Sequence, residues 1–253
     1  MGILNLTPDS FYDGNKIFSS KKFLETYEKI SNADIIDIGA ESSRPGSDSI
    51  SEKEEIKRLQ SFFKLSKKHK YLSIDSYKPE VIKYCLDRNF NMINDISGGG
   101  KHFINIDIAK DYDVPICLMH MQGIPKNMQN NPSYENIISD IKFFFTERLD
   151  YALKIGLNEN NIILDPGLGF GKSNEDNLKI ISNIGAFKSL GFKLLIGLSR
   201  KSFLKYNNNL PADRMLSSIA MQAVCVNNGA DIIRTHDVDE TISSLHVVNK
   251  LDI

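Results

Sequence analysis

Net charge is almost absent from this sequence: 31 Lys and Arg stand against 32 Asp and Glu, a formal balance of −1. Without a basic field there is nothing to hold a nucleic-acid backbone, so a duplex-binding role is set aside. Cysteine is scarce. Cys85, Cys117 and Cys225 are odd in number, scattered, and lack a C-x-x-C partner. That excludes a zinc or disulfide framework and reads as reduced core thiols of a cytoplasmic protein. No apolar run approaches a membrane span, and MGILNLTPDS has no charged region leading into an apolar core. Met1-Gly2 opens like a myristoylation site, but Leu6 stands where that pattern wants Ser or Thr. No linker-like or low-complexity stretch divides the 253 residues. With 41% hydrophobic and 25% charged residues, the chain reads as one domain over 1–253.

What is present is a repeated pattern. Short apolar runs at 2–6, 34–38, 71–74, 91–93, 114–119, 161–164, 193–198 and 230–233 read as strands, each ending on polar residues. Between them lie helical periodicities at 20–32, 51 to about 69, 78–88, 103–111, 134–155, 174–190, 212–228 and 238–250. Ser51 with Glu54 reads as a capping box, and Ser133 as the cap of the long fifth helix. Strand and helix alternate at roughly 30-residue intervals, as βα units require. Eight such units favour closure into a (β/α)8 TIM barrel over an open sheet. The first strand begins at residue 2, so the expectation is either a missing preceding segment or a barrel open at its lower end.

The richest stretch is NIILDPGLGFGK at 161–172. Asp165 falls where a buried strand gives way to a loop. Burying an unpaired carboxylate costs several kcal/mol in order of magnitude, so Asp165 is a poor core residue. It is a good hook for a flat ligand edge carrying two N–H donors. Gly167, Gly169 and Gly171 permit a close approach. GLGFGKS is not a P-loop, because Pro166 occupies the first glycine position of that motif, and it lacks the spacing of a dinucleotide fingerprint. His120 and His236 with Asp75 and Asp165 suggest a metal-dependent hydrolase, but no paired-histidine spacing supports a zinc site. His69, His102 and His246 read as solvated. Ser199-Arg200-Lys201-Ser202 and Arg234-Thr235-His236 follow the seventh and eighth strands, where barrels commonly hold phosphate. A helix starting after Ser199 would add its positive dipole end. Two long early loops, 6–19 and 39–50, carry Asp9, Asp13, Glu41 and Arg44 and read as substrate lids.

MGILNLTPDSF, DIGAESSRPG, SIDSYKPEV, INDISGG, LMHMQGIPKNMQ, ILDPGLGFGK, GLSRKSF and IIRTHDV together resemble the dihydropteroate synthases among the pterin-binding enzymes. The resemblance runs in order over nearly the whole chain. It implies a barrel that joins 6-hydroxymethyl-7,8-dihydropterin pyrophosphate to p-aminobenzoate in folate synthesis, with Mg²⁺ as cofactor, as a cytoplasmic homodimer open to sulfonamides. It implies that Asp75, Asn94, Met119, Asp165, Phe170 and Lys201 hold the pterin. Asn5, Arg234 and His236 are similar to the pyrophosphate-binding residues, with Asn5 also at the metal. Phe11, Ser43, Arg44, Pro45 and Ser199 match the p-aminobenzoate pocket, and Asp75, Lys201 and Arg44 take the catalytic roles. Ala40, Ser43 and Ser47 depart from the Gly, Thr and Ala usual in that family's second loop.

Two other readings compete. A methyltransferase on the same pterin-binding barrel shares the Asp and Asn hooks but has no need of the Ser-Arg-Pro loop, the Ser-Arg-Lys run or Arg-x-His. A non-catalytic pterin-binding homologue predicts a gap among Asn5, Arg44, Lys201 and His236, and all four are in place.

Overall fold

The computed structural model describes residues 1–7, 19–65, 71–207 and 210–250. Eight strands run in order and in parallel: β1 (Gly2–Asn5), β2 (Ile36–Gly39), β3 (Leu72–Asp75), β4 (Met92–Asp95), β5 (Ile116–Met119), β6 (Ile162–Asp165), β7 (Lys193–Ile196) and β8 (Ile232–Ile233). The sheet closes on itself. Ile3 N–H donates to Thr235 O at 3.0 Å, and Thr235 N–H donates to Met1 O at 3.0 Å, joining β1 to the end of β8.

Both faces of these strands are buried, which is why each reads as a near-continuous apolar run. Ile36, Ile38, Ile74, Ile93, Leu118, Ile162, Leu164, Leu194 and Ile196 face outward into the large core shared with the helices. The alternate positions Met92, Cys117, Ile163 and Leu195 form a separate small cluster with Met1, Ile35 and Ile232. That cluster is the filled interior of the barrel. Because side chains repeat every second residue along a strand, the next interior layer up is fixed: Asp37, Asn94, Met119, Asp165 and Arg234. The layer is polar, and it opens at the strand C-termini.

The helices are α1 (Ser20–Lys29), α2 (Glu52–Leu65), α3 (Pro79–Leu86), α4 (Ile104–Asp111), α5 (Ile137–Lys154), α6 (Asn174–Ser182), α7 (Ile184–Lys188), α8 (Met215–Asn227) and α9 (Val238–Val248). Their apolar stripes face the strands. Ile137, Ile141, Phe145 and Leu149 of α5 are buried, as are Phe23 and Tyr27 of α1. Leu24, next to Phe23 on the same helix, is exposed.

Several boundaries differ from expectation. Asn136, not Ser133, caps α5, accepting from the N–H groups of Ile138 and Ser139 at 3.2 Å. Ser133 is instead tied to Gln122 after β5, through bonds of 3.0 and 2.9 Å. The capping box at α2 is half made: Glu54 N–H reaches Ser51, but the Glu54 side chain accepts from Arg58 at 3.1 Å. The complete box belongs to α6, between Ser173 and Asp176. The expected helix 174–190 breaks at Asn183 into α6 and α7. Cys85, Cys117 and Cys225 are free and buried, as expected. Among the described residues, no helix is long and apolar enough to cross a membrane.

Candidate active site

The polar layer at the top of the barrel is organised by one guanidinium. Arg234, on the turn leaving β8, donates from Nε to Asp37 Oδ2 at 2.6 Å and from a terminal nitrogen to Asp75 Oδ2 at 2.7 Å. Asn94 Nδ2 donates to the same Asp37 oxygen at 2.9 Å. Asp37 is fully buried at the centre of β2, and its second oxygen has no partner among the described residues. Asp75 and Asn94 are register partners on β3 and β4, and Asn5, Gly39 and Asp75 line up across the first three strands. Burial pushes the Asp75 carboxyl above its ordinary range; Arg234 opposes this and Asp37 adds to it. For Arg234, burial lowers the pKa, but Asp37 and Asp75 outweigh it and the guanidinium stays charged.

Asp165 ends β6 across the barrel, in register with Met119. One carboxylate oxygen accepts from Gly167 N–H at 2.8 Å, and burial raises its pKa against the pull of Lys201. Gly167 adopts φ +67°, where a Cβ would stand 2.0 Å from His120 O. The glycine series was expected to make room for a ligand. Its observed closest approach is to the chain itself, where the loop after β6 packs against the loop after β5. Lys172 completes that seam, buried, with Nζ 3.0 Å from His120 Nδ1 and 2.9 Å from Phe170 O.

Lys201 reaches the same wall. Its Nζ donates to Leu168 O and lies 4.5 Å from the centre of the Phe170 ring, a cation–π contact. Burial lowers its pKa to about 8, with Asp165 opposing. Ser199 and Lys201 flank Arg200, which sits at φ +59°, a left-handed conformation costing roughly 1–2 kcal/mol in a residue with a Cβ. Nε and a terminal nitrogen on one edge of the Arg200 guanidinium both donate to Asp237, so its charge is paired there. The expected helix after Ser199 is absent; only a three-residue 3-10 turn, Ser202–Leu204, follows, and it supplies no helix dipole.

Ser199 Oγ accepts from His236 N–H at 3.2 Å and lies 3.0 Å from His236 Nδ1. The His236 residue is exposed, yet desolvation by the groups packed around its ring, with Arg234 and Arg200 adding to it, lowers its pKa. The His236 ring is therefore neutral around pH 7.

Ser43, Arg44 and Pro45 lie on the 40–50 loop. Ser47 N–H donates to Arg44 O at 3.0 Å with Gly46 at φ +79°, so Pro45-Gly46 fill the corner of a type II turn. Arg44 and Pro45 are exposed. Asn5 sits at the end of β1, half-buried. Phe11, Asp9 and Asp13 fall outside the described residues. Glu41, expected as a lid carboxylate, is instead paired with Lys78 and accepts from Tyr77 Oη at 3.0 Å. A cavity of about 280 Å³ lies under this loop, lined by Tyr77, Ile96, Met121 and Pro125 among others. At the lower end of the barrel, a cavity of about 460 Å³ lies against Met1, Ile35, Ile232 and Leu245.

The structure thus joins Asp75, Asn94 and Arg234 in one network, and Asp165, Met119, Phe170 and Lys201 in a second wall. His236 pairs with Ser199, whereas Arg234 lies deeper, on the carboxylates. Sequence reasoning missed Asp37 and Lys172. The signal for Asp37 was a carboxylate between two isoleucines inside a strand.

A model of the family described as pterin binding enzyme matches residues 1–236. The chain belongs to that family. Within the pterin binding enzymes it is 39% identical over 252 residues to a dihydropteroate synthase of Haemophilus influenzae, covering 98% of this chain and 91% of that one. The solved dihydropteroate synthase of Yersinia pestis, in complex with a sulfonamide drug, superposes with a TM-score of 0.89 at 37% identity, covering 98% of this chain and 92% of that one. The Xanthomonas albilineans dihydropteroate synthase with 4-aminobenzoic acid also superposes with a TM-score of 0.89, at 33% identity over 99% and 93% of the two chains.

Proposed function

We infer that the chain is a dihydropteroate synthase, a transferase of folate synthesis, with residues 1–253 forming one pterin-binding barrel. It joins 6-hydroxymethyl-7,8-dihydropterin pyrophosphate to p-aminobenzoate and releases pyrophosphate. The observation that carries this reading is the pair of facing walls at the strand C-termini, Asp75–Asn94–Arg234 opposite Asp165–Lys201, on a chain matched by the family over residues 1–236.

In this reading the pterin lies flat between the walls. Asp165 and Asp75 accept from the donors of its amino-pyrimidine edge. Asp37 holds the amide nitrogen of Asn94, which leaves the Asn94 carbonyl oxygen to accept from the pterin. Lys201 donates to a ring acceptor, while Met119 and Phe170 close the faces. Chemistry begins with cleavage of the bond from the pterin methylene to the pyrophosphate oxygen, the electron pair leaving with oxygen. Arg234 and the ring N–H of His236 stabilise the growing negative charge. Asp75 stabilises the electron-poor methylene; the neutral aniline nitrogen then forms the new C–N bond and releases its proton to solvent. Arg44, Pro45, Ser43, Ser199 and Phe11 frame the aniline. No side-chain nucleophile is required.

The described residues contain no cluster of three or more His, Cys, Asp or Glu fit to hold a metal. A lone amide oxygen such as that of Asn5 suits Mg²⁺ that arrives on phosphate oxygens and keeps most of its own water. When bound, the ion supplies charge neutralisation to the leaving group. A cytoplasmic setting accords with the three free thiols. A homodimer is the assembly proposed, and sedimentation would test it.

The direct test is mass detection of 7,8-dihydropteroate after incubation with both substrates and Mg²⁺. Product is expected; its absence from folded protein that binds pterin would reduce the assignment to pterin binding.

A further inference from the structure

The 40–50 loop departs from β2 and returns to α2, and both of its ends meet one lysine. Lys78 caps the start of α3, three positions after Asp75. Its Nζ donates to Glu41 Oε2 at the outgoing end of the loop and to Ile50 O at the returning end, the latter at 2.7 Å. Its third proton goes to Glu55 Oε2 on α2, also at 2.7 Å. Tyr77 Oη holds the other oxygen of Glu41, and Arg58 donates to Ala40 O at 2.9 Å. The residues between are mostly exposed and carry their own ties. Gly46 N–H reaches Pro125 O at 3.0 Å, Ser47 Oγ reaches Ser42 O at 2.6 Å, and an exposed Lys126–Asp48 pair spans 2.8 Å.

This is an expensive way merely to fill space. Lys78 and Glu55 are almost completely buried, and two carboxylates face one ammonium. Burial raises the Glu55 pKa, with Lys78 opposing. Apolar side chains of similar volume would often be as stable there or more so. What the lysine adds is geometry: a fixed pivot joining both ends of the loop to the segment that carries Asp75.

We propose that Lys78 is a positioning residue for the Ser43-Arg44-Pro45 loop, setting how that loop closes on the aromatic amine substrate. The inference rests on the assignment of that loop to p-aminobenzoate.

The test compares the parent enzyme with Lys78→Met, Lys78→Arg and Tyr77→Phe. Tyr77→Phe removes one bond to Glu41 without stranding a charge, so it reports even if Lys78→Met folds poorly. In Lys78→Met, KM for p-aminobenzoate should rise about tenfold while pterin affinity stays within about twofold. Lys78→Arg should recover most of that loss, and Tyr77→Phe should show a smaller rise in the same KM. Amide hydrogen exchange at Gly46 and Ser47 should accelerate in Lys78→Met and in Tyr77→Phe. Unchanged exchange, or equal weakening of both substrates, would overturn the inference. A parent enzyme that forms no product would instead overturn the functional assignment, while the exchange measurement still reports on Lys78.

Discussion

Arg234 spans the barrel mouth from β8 to β3, donating to Asp75 at 2.7 Å while its Nε holds Asp37 on β2 at 2.6 Å. The residue expected to anchor pyrophosphate therefore also sets the carboxylate expected to stabilise the pterin methylene. Through Asp37 it shares an acceptor with Asn94 as well.

This relationship separates the two residues after β8. His236→Ala should weaken binding of the pterin pyrophosphate and leave the hydroxymethyl pterin nearly unaffected. Arg234→Ala should weaken both ligands and also lower stability by about 3–5 kcal/mol, because the buried Asp37 and the partly buried Asp75 lose their cation. Calorimetric titration with each ligand, together with denaturant unfolding, distinguishes the cases. Loss confined to the pyrophosphate ligand in Arg234→Ala would contradict the shared network.

Asp165→Asn should cripple pterin binding with the fold retained. The amide replaces an acceptor with a donor that faces the pterin's own donors, a penalty of roughly 2–5 kcal/mol. Near-unchanged affinity by titration calorimetry would remove Asp165 from the pterin site.

Much of this site was legible because a barrel projects the polar ends of its strands into one mouth. Asp75, Asn94, Asp165, Lys201 and Arg234 all stand at such ends. Asp37 escaped because it lies mid-strand in DIIDIG, and its bond to Arg234 spans 197 positions of chain. Lys78 looked like the start of a helix before Pro79; its partners lie 37 and 23 positions away. Ser133 and Asn136 are equally good caps by propensity. The contact of Ser133 with Gln122, a tertiary interaction, decides between them.

The pH profile should carry an alkaline limb. Burial lowers the Lys201 pKa to about 8, so the ammonium is intact below that pH and lost above it. kcat/KM for the pterin substrate should fall as pH rises through about 8, and Lys201→Arg should move the limb upward, since arginine does not titrate there. An unshifted limb in Lys201→Arg would assign it to another group.

Pro45 fixes one corner of the exposed turn over the proposed p-aminobenzoate pocket. A sulfonamide carries the same aniline ring but more bulk beyond it. Pro45→Leu should raise the inhibition constant for sulfamethoxazole more than it raises KM for p-aminobenzoate. Steady-state kinetics would show it; a parallel rise in both constants would place Pro45 outside the discriminating contact.

The central claim is that the two walls hold a pterin pyrophosphate for displacement by an aromatic amine. Pyrophosphate release, measured with and without p-aminobenzoate, tests it most directly. The account predicts sustained release only when p-aminobenzoate is present, with one molecule of amine consumed for each pyrophosphate formed. Sustained release at the same rate without the amine, or none with it from protein that binds the pterin, would contradict the account.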